Sequence, residues 1–325
     1  MEYRDRLYGV EEIAAPVLLA LIDSAAVQRL QGVLQHGISG LLGVTRATSR
    51  FEHSLGVMML VRRLGGALEE QIAALLHDVS HTAFSHVIDY VFDGHDSQSY
   101  HEEKKESYVS GTELPVVLEG YGYHWRDFLH EEHFPILEQP APALCADRLD
   151  YFLRDSFDLG LASLEQVQAA LDHLVVSDHQ IAVNEVEVAR WLGYTFIAAD
   201  EASWANFREV GLYELAAQAI RTGLRLGVLS ETDLWGTDAS AWSRLQASDQ
   251  PVLLAQLRLV SAQTCFVWDE IAPTFRVSTK LRTIDPLVLS GDRLQPLSVI
   301  DADFAHRRLD YLKTRSGKWP VRVIP

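Results

Sequence analysis

Cysteine is almost missing from this chain: Cys145 and Cys265 are the only two in 325 residues, and they stand far apart. That count excludes a disulfide framework and a cysteine-based zinc site, and it suits a reducing cytoplasm. Long apolar runs are missing as well. No stretch approaches the roughly eighteen residues that a transmembrane helix needs. The amino-terminal MEYRDRLYGVEE is charged and has no apolar core, so it does not read as a secretory signal. Positive charge is scarce: 28 Lys and Arg face 45 Asp and Glu, for a net charge of −17. The molecule as a whole would repel nucleic acid and anionic membrane, so any anionic partner must be small and met by a local basic pocket. Neither an internal repeat nor a low-complexity tract is present.

What is there suits a soluble globular protein: 48% of residues are hydrophobic and mean hydropathy is near zero. Helical periodicity dominates. Ile13, Val17, Leu18 and Leu21 recur near the helical period, and Ser24 is placed to cap the next helix, which Gly37 ends. The Gly- and Thr-rich ISGLLGVTRATSR reads as a loop leading to a helix from Arg50 that Gly65-Gly66 stops. A second helix begins at Glu69, and a third is ALCADRLDYFLRDSFDL, ended by Gly160. LVVSDHQIAVN reads as a small hairpin, Val186 to Leu229 as long helix, and the chain beyond Phe275 as strands and turns. The opening residues up to the first helix read as a turn, and Glu113 to Pro142 as irregular.

Histidine is concentrated: ten of thirteen fall between His36 and His133. SRFEHSLGVMMLVRRLGGALEEQIAALLHDVSHTAFSHVIDY, Ser49 to Tyr90, holds four of them, with His53 near one helix start and the adjacent pair His77-Asp78 at another helix end. Imidazole and carboxylate suit a divalent metal, and two imidazoles with two carboxylates leave positions open for water and substrate. His53 alone reads as readily as a packed histidine, and spacing alone does not choose. On the ALCADRLDYF helix Asp147, Tyr151, Arg154 and Asp158 share a stripe, with Arg148 and Asp155 beside it. The plain role for Arg154 is a pair with Asp150 one turn away.

DRLYG, QRLQGVLQHG, SRFEHSLGV, LLHDVSHTAFSH and ADRLDYFLRDSFDLG, in that order, resemble the HD-domain superfamily of metal-dependent phosphohydrolases. The branch they resemble holds the SAM-and-HD-domain-type deoxynucleoside triphosphate triphosphohydrolases and their bacterial relatives. The likeness covers roughly the first half of the chain. It implies a mainly α fold: a helical bundle around a metal site, with a small β hairpin and a C-terminal β appendage. The expected division is a catalytic core over 1–175, a helical extension over 176–274 and a small appendage over 275–325. Metal ligands are then His53, His77, Asp78 and Asp147. His81, His86 and Asp89 match catalytic or phosphate-facing positions, with Asp89 orienting His81, and His101 matches a proton donor. Arg50 and Arg148 match phosphate-binding cations, while Gln35, Tyr151 and Asp155 match nucleotide-sugar contacts.

The implied cofactor is a divalent transition metal (Mn, Fe, Co, Ni or Zn), with Mg as an additional phosphate partner. The implied reaction is hydrolysis of a nucleotide or related phosphoester by metal-activated water, with histidine as general acid. The resemblance thins beyond Gly160: Ala219 stands where the branch keeps a triphosphate-binding arginine, and Arg221 lies two residues later. A non-triphosphate phosphomonoesterase, an HD-type di-iron oxygenase and an idle regulatory module are the other readings. A homo-oligomer is compatible with all of them.

Overall fold

The computed structural model describes residues 1–324. The fold is mainly helical, and three small sheets lie around the helices. Helices Arg50–Arg63 and Leu68–Leu76 pair closely, and helix Ala146–Asp158 lies across the first of them. Leu55, Met58, Leu60, Ile72, Leu75, Leu149, Phe152 and Leu153 are all fully buried in the core these helices share. A second core gathers around helix Phe207–Arg225, which packs on the short helix Val87–Val91.

Several elements differ from expectation, each for a local reason. The opening turn is a β hairpin, Glu2–Asp5 with Gly9–Glu12. Asp5 closes it: its Oδ1 accepts from the backbone N–H of Leu7 (2.7 Å) and Tyr8 (3.0 Å), and Gly9 takes a positive φ of 83°. The presumed loop after Gly37 contains a short helix, Gly37–Leu41. Pro115 at the first turn helps open helix Leu114–Gly120 inside the stretch expected to be irregular. The long helical region breaks at 203–206, where the Asn206 side chain caps the second helix by accepting from Arg208 N. The C-terminal part contains helix Ala302–Arg315 besides its strands.

The expected hairpin at Ser177-Asp178 is present, with Asp178 and His179 at positive φ. Its second strand, Gln180–Val183, pairs in parallel with Leu287–Ser290, giving a four-stranded sheet completed by Arg293–Pro296. The last sheet places Trp319–Ile324 between Cys265–Trp268 and Phe275–Val277. The chain's end is thus laced into the helical body. Among the described residues no helix is long and apolar enough to cross a membrane.

Candidate metal centre and adjoining cleft

Helix Arg50–Arg63 begins at Ser49, whose side chain accepts from Glu52 N, and this places His53 in the first turns with its ring buried. His77 and Asp78 follow the end of helix Leu68–Leu76, where the backbone turns and lets neighbouring side chains face one point. Asp147 comes from the first turn of helix Ala146–Asp158. His53 Nε2 lies 3.0 Å from Asp147 Oδ1, 3.2 Å from His77 Nε2 and 3.6 Å from Asp78 Oδ2.

Tautomer assignment shows what this convergence requires. His53 Nδ1 lies 2.7 Å from the Asp150 carboxylate and His77 Nδ1 lies 2.7 Å from Ala74 O. Both Nδ1 atoms face pure acceptors and carry protons, so each neutral ring turns a bare lone pair inward. Two lone pairs at 3.2 Å, with two carboxylates beside them, repel unless a cation lies among them. The residues therefore fit a divalent metal. Without such an ion a proton takes its place: burial disfavours it, but the Asp78 and Asp147 charges outweigh burial and lift His77 to about 10.

A second group able to hold a metal is Asp78, His81 and His101. His81 Nε2 is 3.2 Å from Asp78 Oδ1, and the His81 and His101 rings stack at 3.8 Å. Burial, reinforced by the Arg50 charge on His81 and by His81 on His101, pushes both imidazoles well below their ordinary value, so both are neutral. His101 Nδ1 is buried without a hydrogen-bond partner. Asp89 does not orient His81. It accepts from His86 Nδ1 at 3.0 Å and from Tyr100 N at 3.0 Å, so it steadies His86 and the start of the helix that carries His101. The physical reason is register: Asp89 is one helical step beyond His86, whereas His81 sits before the turn and faces Asp78.

The surrounding scaffold is specific. Arg50 donates through Nη1 to Asp78 (2.5 Å) and through Nε to Ser85 Oγ (3.0 Å), leaving buried Nη2 unpartnered. It is buried in a helix start, not solvent-exposed as a loop arginine would be. Arg29 donates to Val79 O and His81 O, holding the HDVSH turn. Phe84 and Ser85 take positive φ, a strained state for side-chain-bearing residues, and Asp238 fixes it by accepting from Phe84 N at 2.7 Å.

The expected stripe on helix Ala146–Asp158 divides into two faces. Asp147, Tyr151 and Asp155 look into the cleft. Asp150 and Arg154 turn to the N-terminal hairpin, where Arg154 meets Asp150 (2.8 Å) and Asp5 (2.7 Å), and Tyr8 Oη donates to Asp150 (2.8 Å). Asp158 pairs with Arg6 on that side. Asp5 and Tyr8 carry no sequence mark of this role, and Asp150 reads from sequence only as the i, i+4 partner of Arg154. Neither DRLYG nor that pair points to His53.

Two chambers meet beside the metal centre. The outer one is lined by His77, Asp78, His81, His101, Asp147 and Arg148. The inner one lies among His36, Asp155, Trp204, Glu209 and Tyr213 and opens to solvent. Gln35, Arg50, His86, Gln98, Tyr151 and Arg282 line both and form the throat. Arg148 is committed to structure: its Nη1 donates to Ala143 O and Gln139 O, and Nη2 pairs with Glu138. Asp155 accepts from His36 Nε2 (2.9 Å) and Trp204 Nε1 (2.6 Å). Ala219 is buried in the core, and Arg221 turns to Glu214, Asp93 and Tyr90 O, away from both chambers.

Comparison with known proteins agrees with this geometry. The HD domain family model matches residues 50–155. The "metal-dependent phosphohydrolase cns2" of Cordyceps militaris is 37% identical over 96% of this chain and 92% of its own length. The mouse "deoxynucleoside triphosphate triphosphohydrolase SAMHD1" is 28% identical over 49% of this chain, which spans only 32% of it. A hypothetical protein from Aquifex aeolicus shares the fold, with a TM-score of 0.69 over 94% of this chain and 93% of its own at 21% identity. The HD motif residues that meet at this metal position, in a chain matched nearly end to end by the 37%-identical cns2, place it in the HD-domain metal-dependent phosphohydrolase family.

Proposed function

We propose that this enzyme hydrolyses a phosphomonoester of a nucleotide or a similar compound. In this assignment His53, His77, Asp78 and Asp147 hold the metal, the phosphoryl group sits at the throat, and the nucleoside side occupies the inner chamber. The carrying observation is the unpartnered Nη2 of buried Arg50, beside Asp78 and lining both chambers. An arginine fork with one arm on a carboxylate ligand and one arm free suits a phosphoryl oxygen. When bound, a transition metal there supplies Lewis acidity to a phosphoryl oxygen and lowers the pKa of water.

The chain's own residues supply the rest. Arg50 balances charge on the phosphoryl group. Burial holds His81 and His101 neutral, and a phosphate dianion beside them raises their proton affinity, so either takes a proton from the attacking water and gives it to the leaving oxygen. Tyr151 and Asp155 receive the sugar hydroxyls. His86, steadied by Asp89, faces the phosphate, and Gln35, whose buried Oε1 has no partner, accepts a hydroxyl.

A monoester is favoured over a triphosphate by what helix Phe207–Arg225 brings to the cleft: Glu209, Val210 and Tyr213, with no arginine among them. The outer rim adds Glu102, Glu103, Glu106, Glu131 and Glu132, which oppose a polyphosphate chain. The test is a panel of nucleoside mono- and triphosphates and simple phosphoesters with Mn, Fe, Co, Ni and Zn, followed by identification of the released group. Orthophosphate from a monophosphate is the expected product, and tripolyphosphate release overturns the monoester assignment. The group Asp78, His81 and His101 favours one second reading, a two-metal oxygenase. Two irons per chain with no hydrolysis of any phosphoester would select it.

A further inference from the structure

We propose that Arg282, delivered to the throat by the C-terminal segment, is a second phosphate-binding cation of the cleft. The proposal rests on the phosphoester reading of the cleft but concerns a part of the chain outside its metal-binding motifs. Arg282 lies on an extended stretch between strands Phe275–Val277 and Leu287–Ser290, far in sequence from the histidine-rich region. Its side chain lines the inner and the outer chamber alike, as Arg50 does.

Its position is built rather than incidental. The backbone N–H of Arg282 donates to Asp200 Oδ2 at 2.9 Å, and the same oxygen accepts from Tyr311 Oη at 2.7 Å. Asp200 and Tyr311 are both buried, so helices Val186–Ala202 and Ala302–Arg315 together clamp the segment where it passes the throat. The side chain then reaches inward. Nη1 donates to Lys280 O at 3.1 Å, Nη2 donates to the Gln98 side-chain oxygen, and the guanidinium carbon stands 6.0 Å from the Trp204 ring centre.

The acceptors on the guanidinium itself, Lys280 O and the Gln98 side-chain oxygen, are neutral. Arg50 has Asp78 and Arg148 has Glu138, but among the described residues no carboxylate stands within ion-pair distance of Arg282. The Asp200 carboxylate behind its backbone feels that charge, but no ion pair ties up the guanidinium, whose charge reaches into the throat and contributes to lowering the proton affinity of buried His86. A half-buried guanidinium held by neutral acceptors and facing a cavity is matched by an anion, and the anion this throat admits is a phosphoryl group. Arg50 and Arg282, which both line the throat, then share it.

The test uses the full chain loaded with its most activating metal, comparing wild type with Arg282→Gln and Arg282→Lys. Inorganic phosphate binding is followed by calorimetry, and KM and kcat are measured on the best phosphomonoester of the panel. Loss of one charged contact is expected to weaken phosphate binding and raise KM roughly 10- to 100-fold, with metal content and melting temperature unchanged. Arg282→Lys keeps the charge and recovers part of the loss, a rescue that a purely structural role would not give. A wild-type phosphate affinity in both variants overturns the proposal, as does a metal-loaded wild type that binds no phosphate. Should Arg282→Gln fail to fold, Arg282→Lys decides alone: an unchanged phosphate Kd overturns the proposal, and a several-fold weakening supports it. Phosphate binding that depends on Arg282 without hydrolysis of any ester would sink the proposed reaction while leaving this assignment standing.

Discussion

Asp150 Oδ2 lies 2.7 Å from His53 Nδ1, and the same fully buried carboxylate takes Arg154 Nε at 2.8 Å. An aspartate that lines neither chamber therefore decides which nitrogen of His53 is free to hold a metal. Burial resists charge on Asp150, but Arg154 and then His53 keep it ionised, below the usual carboxylate range. Asp150→Asn preserves shape and removes the charge that fixes the tautomer. Metal affinity is expected to fall roughly 10- to 100-fold, as for other carboxylates behind a ligating imidazole. Calorimetric titration reads this directly, and an unchanged Kd in a folded variant would remove Asp150 from the role.

Gly56 is required by the same contact. A Cβ built there would stand 2.0 Å from Arg154 Nη2 and 2.2 Å from Asp150 Oδ1, so helix Arg50–Arg63 can approach helix Ala146–Asp158 only through a glycine. Gly56→Ala is expected to cost about 1–3 kcal/mol through overpacking and to weaken metal binding with it. Gly120, also helical but with nothing within 4 Å of its Cβ position, is the matched control. Gly120→Ala should leave stability the same or slightly higher. Urea denaturation of the two variants separates the effects, and equal destabilisation would show that the close contact at Gly56 is not the cause.

The residues that meet at the metal position were legible because each carries its own local signal. His77-Asp78 closes an amphipathic helix and His53 opens one, and the order of these motifs with Asp147 resembles one family. Their supports were less visible. The N-terminal hairpin has strands of four residues with mostly exposed, polar faces, so no alternation marks it. Arg154 and Asp150 read as an ordinary i, i+4 pair, which they are, but their tie to His53 spans 97 residues. Arg154 and Asp158 return to within about 20° of Asp147 around the helix, but further along it the neighbour is the N-terminal hairpin, whose Asp5 and Arg6 pair with them. Arg282 had no signal, since its place depends on Asp200 and Tyr311 meeting its backbone.

His36 gives a pH test away from the metal. Burial alone would lower its proton affinity, but the Asp155 charge and hydrogen bond, with Glu209 behind them, lift it to about 9. In an unfolded chain a histidine titrates near ~6.5, so the folded state holds this proton more tightly. The resulting stabilisation is complete below about pH 6.5 and is lost as pH rises through about 9. Its size is on the order of a few kcal/mol. Wild type should therefore exceed His36→Leu in stability most at the acidic end, with the gap narrowing between about pH 6.5 and 9.5. A gap that stays constant across that range in chemical denaturation would show that His36 is not charged in the folded protein.

Removing the metal should also register in stability, independently of any substrate. Without the ion, His53 Nε2 and His77 Nε2, 3.2 Å apart, share only a proton drawn there by the Asp78 and Asp147 charges, whereas a divalent ion engages all four side chains at once. An ion that binds only the folded chain stabilises it by about 2.7 kcal/mol at a hundred times its Kd. Chelation followed by dialysis is expected to lower the melting temperature by a few degrees, and readdition of metal to restore it. Asp147→Asn is the informative partner variant. Asp147 is part-exposed and free of arginine pairing, so its loss does not strand a buried charge, as loss of Asp78 would strand Arg50. In Asp147→Asn the melting temperature should respond weakly to added metal. A wild-type melting temperature indifferent to chelator, with no metal found by elemental analysis after loading, would show the proposed ligand set to be wrong.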